Sequence, residues 1–167
     1  MKTTHCFSFF LLAIATSLTL VAQTAETDPV KAALSVPKPA IFAQKLVDQT
    51  LQKHPEIVIL AFHVVSADGK DYPILASNIG RYGKAADEDD LRVIHTGKAN
   101  LEVNETGNHF EVEMQIHDAS NKVLGAVGVV YNYKAGDDKE ALHKKAEAVR
   151  VEMEKQIKSL AALNAAV

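Results

Sequence analysis

The stretch His109 to Tyr133, HFEVEMQIHDASNKVLGAVGVVYNY, constrains the fold more than any other. Phe110, Val112, Met114 and Ile116 alternate with Glu111, Glu113, Gln115 and His117, the period of two that gives a strand one apolar and one wet face. Asp118-Ala119-Ser120-Asn121 supplies turn chemistry, because Asx and Ser side chains bond nearby backbone and Asn tolerates positive φ. Val123 to Tyr133 is apolar on both faces until Asn132, which predicts a central strand covered on both sides.

Other elements follow around this hairpin. Pro39 opens a run in which Phe42, Leu46, Val47, Thr50 and Leu51 recur at helical spacing, and Pro55 stops it. Ile57 to Val65 is a β-branched apolar strand. Ser66 to Lys70 is a turn around Asp68-Gly69, and Asp71 to Ser77 returns as a strand that Pro73 assigns to a sheet edge or bend. Asp87 caps a short helix, Glu88 to His95, with its acids first, its bases last and Gly97 as the stop. The acids Glu88, Asp89 and Asp90 read as a well-capped surface helix in preference to a metal site. Asn100 to Glu105 is a third strand with Leu101 and Val103 inward and Glu102 and Asn104 outward. A long helix from about Lys139 to Leu163 carries Leu142, Ala146, Val149, Met153, Ile157 and Leu160 as one stripe. At 1.5 Å per residue it would run on the order of 37 Å, longer than one small sheet needs, so part of the stripe is expected to face another molecule, as in a homodimer. The sum is α+β: a five-stranded antiparallel sheet with an N-terminal helix, a short helix after the second strand and a long C-terminal helix.

The chain opens Met1-Lys2, then runs apolar from Phe7 to Ala22 with small residues at Ala22 and Ala25, the pattern of a secretory signal peptide over 1–25. An uncleaved membrane anchor is the alternative. Residues 26–38, with Pro29 and Pro37, read as a flexible leader, and 39–163 as one domain. Cys6, the only cysteine, lies within the signal, so an exported domain must hold itself together without disulfides. Removing Lys2 from the 18 basic residues leaves 17 against 21 acidic; this mild, mixed charge points to neither nucleic acid nor an anionic membrane. The expected place is periplasmic or secreted.

Ala76-Ser77-Asn78 closing a strand, Ile79 to Lys84 (IGRYGK), the acidic Glu88 to Leu91 (EDDL), Thr96 to Lys98 (TGK) and Met114 to Tyr131 with Asp118, Gly125 and Gly128 resemble the Cache, or PDC-type, extracytoplasmic sensor domains in single-domain form. The resemblance covers about Pro39 to Tyr133. It implies a PAS-like sheet with a small-molecule pocket between one sheet face and the loop Ser77 to Lys84, in a stand-alone exported protein. Glycine in a central strand permits a bend or a close approach by a ligand or another backbone.

Candidate ligand-binding residues follow from that placement: Ser77, Asn78, Arg81, Tyr82, Tyr131 and His63. A guanidinium matches a carboxylate as a fork of donors, so Arg81 with Tyr82 could clamp a small anionic metabolite such as a carboxylate or amino acid. Tyr131 could present its hydroxyl to a pocket or only fill the core rim. His63 shares a face with Ile57, Ile59, Ala61 and Val65, as a core residue or a ligand contact. His109 and His117 lie eight apart, about 26 Å along a strand, too far for one metal. No metal, cofactor or catalytic motif stands out, so the expectation is a binding module without enzymatic activity. Two alternatives stay open: an interaction protein dimerising through the C-terminal helix, and a haem-binding or enzymatic PAS-like protein using His63 or His95.

Overall fold

The computed structural model describes residues 37–167; the signal peptide and nearly all of the leader expected before them lie outside the described residues. The elements are α1 (Phe42–Lys53), β1 (Ile57–Val64), β2 (Ile74–Ser77), α2 (Glu88–Thr96), β3 (Asn100–Val103), β4 (His109–His117), β5 (Val123–Asn132), α3 (Lys139–Glu154) and the single turn α4 (Leu160–Leu163). The five strands form one antiparallel sheet in the order β2-β1-β5-β4-β3, an α+β architecture consistent with a PAS-like fold. β5 is the central strand and is buried along nearly its whole length, as its two apolar faces require. β2 begins immediately after Pro73 and lies at one edge, where a missing N–H is tolerated.

One sheet face carries the main core. Leu60, Phe62, Phe110, Val112, Ile116, Val127, Val129 and Tyr131 are buried there with Leu46 and Val47 of α1 and Ala146, Val149 and Met153 of α3. Each large side chain so buried is worth about 1.5–3 kcal/mol. The opposite face carries Ile59, Ala61, His63, Ala126, Gly128, Val130, Glu111 and Glu113. At one end Val93 and Ile94 of α2 pack on Ala126. Elsewhere that face is roofed by the loop between β2 and α2, which folds back on β2 through Gly83 N–H to Ile74 O (3.0 Å), Ile74 N–H to Lys84 O (2.8 Å) and Ala86 N–H to Tyr72 O (3.0 Å).

Four local expectations need correction. The long helix 139–163 is broken. α3 ends at Glu154, the Ala119 N–H in the β4–β5 turn takes the Ile157 carbonyl at 2.9 Å, and the Ser159 hydroxyl caps α4 by accepting from Ala162 N–H. The remaining sixteen-residue helix spans about 24 Å, so the excess length expected to face another molecule is used within the chain. The first helix starts at Phe42, three residues beyond Pro39. The Phe42 N–H donates to Ala165 O (2.8 Å), Val167 N–H donates to Ala40 O (3.2 Å), and Ile41 bridges Ala166, which holds 40–42 extended against the C-terminus. Leu101 shares the core face with Val112 but sits on the outermost strand beyond the helices, 46% exposed. Ile57 lies in the main core and not beside His63, because the β1–β5 register shifts between Ile57 and Ile59.

Candidate functional site

Between the roofing loop and the sheet lies a cavity of about 200 Å³. Its floor is Ile59, Ala61, Gly128 and Val130; its walls are His63, Glu111, Glu113, Asp87 and Asp90; Ile74, Ile79, Arg81 and Lys84 complete it from the roof. A second hollow continues past Glu111 toward Glu102, Asn104 and His109, sharing Ile59 and Val130 with the first.

The floor is open because of a glycine. A Cβ on Gly128 would stand 3.0 Å from Glu111 Oε1, so a side chain there would crowd the carboxylate. Gly125, the other glycine of β5, has a separate reason. Its Cβ would fall 1.9 Å from the His63 carbonyl oxygen, so the close approach it permits is that of the β1 backbone.

α2 is locked in place by a capping box: Asp87 Oδ1 accepts from Asp90 N–H, and Asp90 Oδ2 accepts from Asp87 N–H at 2.9 Å. Gly97 ends the helix in the left-handed conformation, φ 72. The box turns the Asp90 side chain inward, where it is only 6% exposed and its Oδ2 stands 3.5 Å from His63 Nε2. His63 Nδ1 lies 2.8 Å from the Tyr72 carbonyl, which can only accept, so Nδ1 carries the proton and Nε2 is left toward Asp90 and the cavity.

The acids of the wall act on one another. Burial, then the charges of Glu111 and Asp90 and a hydrogen bond with Asp90, push the Glu113 carboxyl up to about 8, against the opposing Asn100 amide 3.2 Å from its Oε2. Glu111 is also raised, first by burial and then by Asp90, Glu102 and Asp87, with Lys84 pulling the other way. At Asp87 burial is outweighed by the Asp90 N–H and by the Lys84 ammonium 3.6 Å away, and its carboxyl stays below the usual range.

Of the six residues singled out by sequence, His63 and Arg81 line this cavity. Arg81 is exposed at its rim, held at φ 62 between Gly80 (φ 70) and Gly83 (φ 80), an uncommon backbone state for a non-glycine residue. The other four are occupied elsewhere. Ser77 is fully buried, its hydroxyl donating to Gly80 O and its N–H to Gln44 Oε1. The Asn78 side chain splices onto β1, accepting from Leu60 N–H (3.0 Å) and donating to Val58 O (2.9 Å). The Tyr82 hydroxyl donates to Ser77 O at 3.2 Å, so it does not form a clamp with Arg81. Tyr131 lies on the helix-covered face, since it pairs with Phe110, and its hydroxyl is buried without a partner among the described residues. That burial, with Glu56 nearby, pushes it up to about 12.

Sequence reasoning missed Asp90, Glu111 and Glu113. Glu111 and Glu113 read as the wet side of β4, and Asp90 as one acid of a capped helix. Their convergence depends on α2 crossing that side of the sheet, a tertiary fact with no local signal. Among the described residues no cluster of three or more His, Cys, Asp or Glu is arranged to hold a metal, and no helix is long and apolar enough to cross a membrane.

No protein-family model matches the chain, and no curated protein matches it in sequence. Solved structures with a similar chain course include the periplasmic domain of RsbU from Chlamydia trachomatis, at 20% identity and TM-score 0.41, over 56% of this chain and 37% of that one. The match thus spans well under half of the RsbU chain. The nlh2 GAF domain of A. aeolicus aligns at 17% identity and TM-score 0.45, over 75% of this chain and 86% of that one. The inducer-binding domain of the transcription factor PobR from Acinetobacter, a double mutant in complex with 3-hydroxybenzoic acid, aligns at 6% identity and TM-score 0.43, over 71% and 96%.

Proposed function

We propose that this chain is an exported, sensor-like binding module that captures a small polar metabolite, such as an amino acid or a small carboxylate, in the cavity beneath the β2–α2 loop, and that it binds without turning the molecule over. The observation that carries this reading is the cavity itself: about 200 Å³ between the sheet and the loop, with an apolar floor and polar or charged groups converging from β1, β4, α2 and the loop. Small-molecule sites combine a concave apolar surface with a few placed polar groups in this way. The size suits a molecule of a few heavy atoms. Arg81 and Lys84 at the roof supply donors for an acidic group; His63, Asp90 and Glu111 supply acceptors on the wall. Export rests on the signal-like N-terminus, and secretion into culture medium or periplasm of the full-length chain tests it.

A thermal-shift screen against amino acids, small amines and small carboxylates tests the binding reading. A ligand that binds only the folded state raises the midpoint in proportion to its occupancy. Ala61→Leu, which places a larger apolar side chain on the cavity floor, should remove the shift. Absence of stabilisation by the whole panel, or shifts identical in Ala61→Leu, would refute the reading.

A further inference from the structure

The wall of the cavity is a wall of acceptors. Asp90 and Glu111 present carboxylate oxygens, and the ring of His63, 9% exposed, spends its one certain proton on the Tyr72 carbonyl. Its Nε2 has no hydrogen bond among the described residues; its nearest charged neighbour is Asp90 Oδ2 at 3.5 Å, an acceptor like itself. A ring nitrogen of a side chain nine-tenths buried, without a hydrogen bond and opening on a cavity beside a carboxylate, calls for a donor. The negative charge of the acids calls for that donor to be cationic. Neither demand is met among the described residues: Arg81 and Lys84 lie on the roof, with Lys84 turned to Asp87.

Building on the proposed binding function, we propose that the ligand enters this cavity through a protonated primary amine, seated among the Asp90 and Glu111 carboxylates and the Nε2 of His63, while Arg81 at the rim meets any acidic group the same molecule carries. An ammonium has three donors and no acceptor, which matches three acceptors set on β1, β4 and α2. Glu113, on the same wall as Glu111 and Asp90, is pushed up to about 8 and holds a proton at neutral pH when the cavity is empty. A cation placed beside it favours the charged form, so Glu113 releases its proton to solvent as the amine binds. The groups that set this response are Glu111 and Glu113 on β4, Asp87 and Asp90 at the start of α2, His63 on β1, Glu102 on β3, and Arg81 and Lys84 in the loop.

Isothermal titration calorimetry with three probes of similar size, propylamine, alanine and propionate, tests this at neutral pH. Propylamine and alanine should bind and propionate should not. Glu111→Gln, which keeps shape and removes the charge, should weaken both amines by about tenfold or more. Asp90 is left unchanged, since it belongs to the capping box of α2, and circular dichroism confirms that Glu111→Gln folds. Repeating the titration in phosphate and Tris reads the released proton as a buffer-dependent heat, absent in Glu113→Gln. Propionate binding as tightly as alanine, with Glu111→Gln indifferent, would overturn the amine assignment and leave small-molecule binding standing. Failure of both amines to bind at millimolar concentration would overturn it as well, and the wider panel then decides the parent reading on its own.

Discussion

Glu113 on β4 and Asp90 on α2 line the same cavity and Asp90 raises the cost of ionising Glu113, so two acids twenty-three positions apart in the chain share one wall. The pairing ties the short helix to the sheet and makes stability depend on pH. The folded chain holds the Glu113 proton up to about pH 8, whereas the unfolded chain releases it near the ordinary glutamate value. Between those values the native state binds more protons, so stability falls as pH rises and the loss is complete above about 8. Urea unfolding from about pH 5 to pH 9 should show a decline that Glu113→Gln flattens. At the alkaline end the variant should exceed wild type by about 1–2 kcal/mol, allowing for solvent screening of a partly exposed group.

The two glycines of β5 should behave differently. Gly125→Ala drives a Cβ into the His63 backbone and should cost about 3 kcal/mol or more, or prevent folding. Gly128→Ala meets only the end of the Glu111 side chain, which can swing away, and should cost about 1 kcal/mol or less while weakening ligand binding. Chemical denaturation gives the first pair of values and calorimetry the second.

Tyr131→Phe removes a buried hydroxyl that has no partner among the described residues, so stability should stay unchanged or rise by up to about 1 kcal/mol. Ligand affinity should not change, because Tyr131 faces the helices and not the cavity. A loss of binding in this variant would place the site on the wrong face.

Asn78→Ala leaves the Leu60 N–H and the Val58 carbonyl without their side-chain partner and should destabilise by about 2 kcal/mol, read from the shift in urea midpoint. Binding by the protein that remains folded should match wild type, which separates a structural Asn from a contacting one.

Sheet and caps were legible in the sequence because their signals are local. Alternation along β4, the doubly apolar β5, Pro73 at an edge, Asp87 before the acids of α2 and Gly97 after them each state a backbone preference that tertiary structure leaves intact. The end of the C-terminal helix was not legible. The apolar stripe continues through Ile157 and Leu160, but the Ala119 N–H, from a turn far away in sequence, takes the Ile157 carbonyl and Ser159 starts a new turn. Site residues fared in the same way. His63 and Arg81 could be placed by topology, while Asn78 and Tyr82 look like binding groups until their hydrogen bonds to the neighbouring backbone are seen. Glu111 and Glu113 look like solvent-facing residues until α2 and the loop close over them.

The most direct test of the cavity as a binding site is a residue-resolved NMR titration of the folded chain with the amines, amino acids and carboxylates of the panel. Amide shifts should concentrate at Ala61, His63, Glu111, Glu113, Gly128 and the loop from Ile79 to Asp87. Shifts gathered on α1 and α3, or none with any probe, would contradict the assignment.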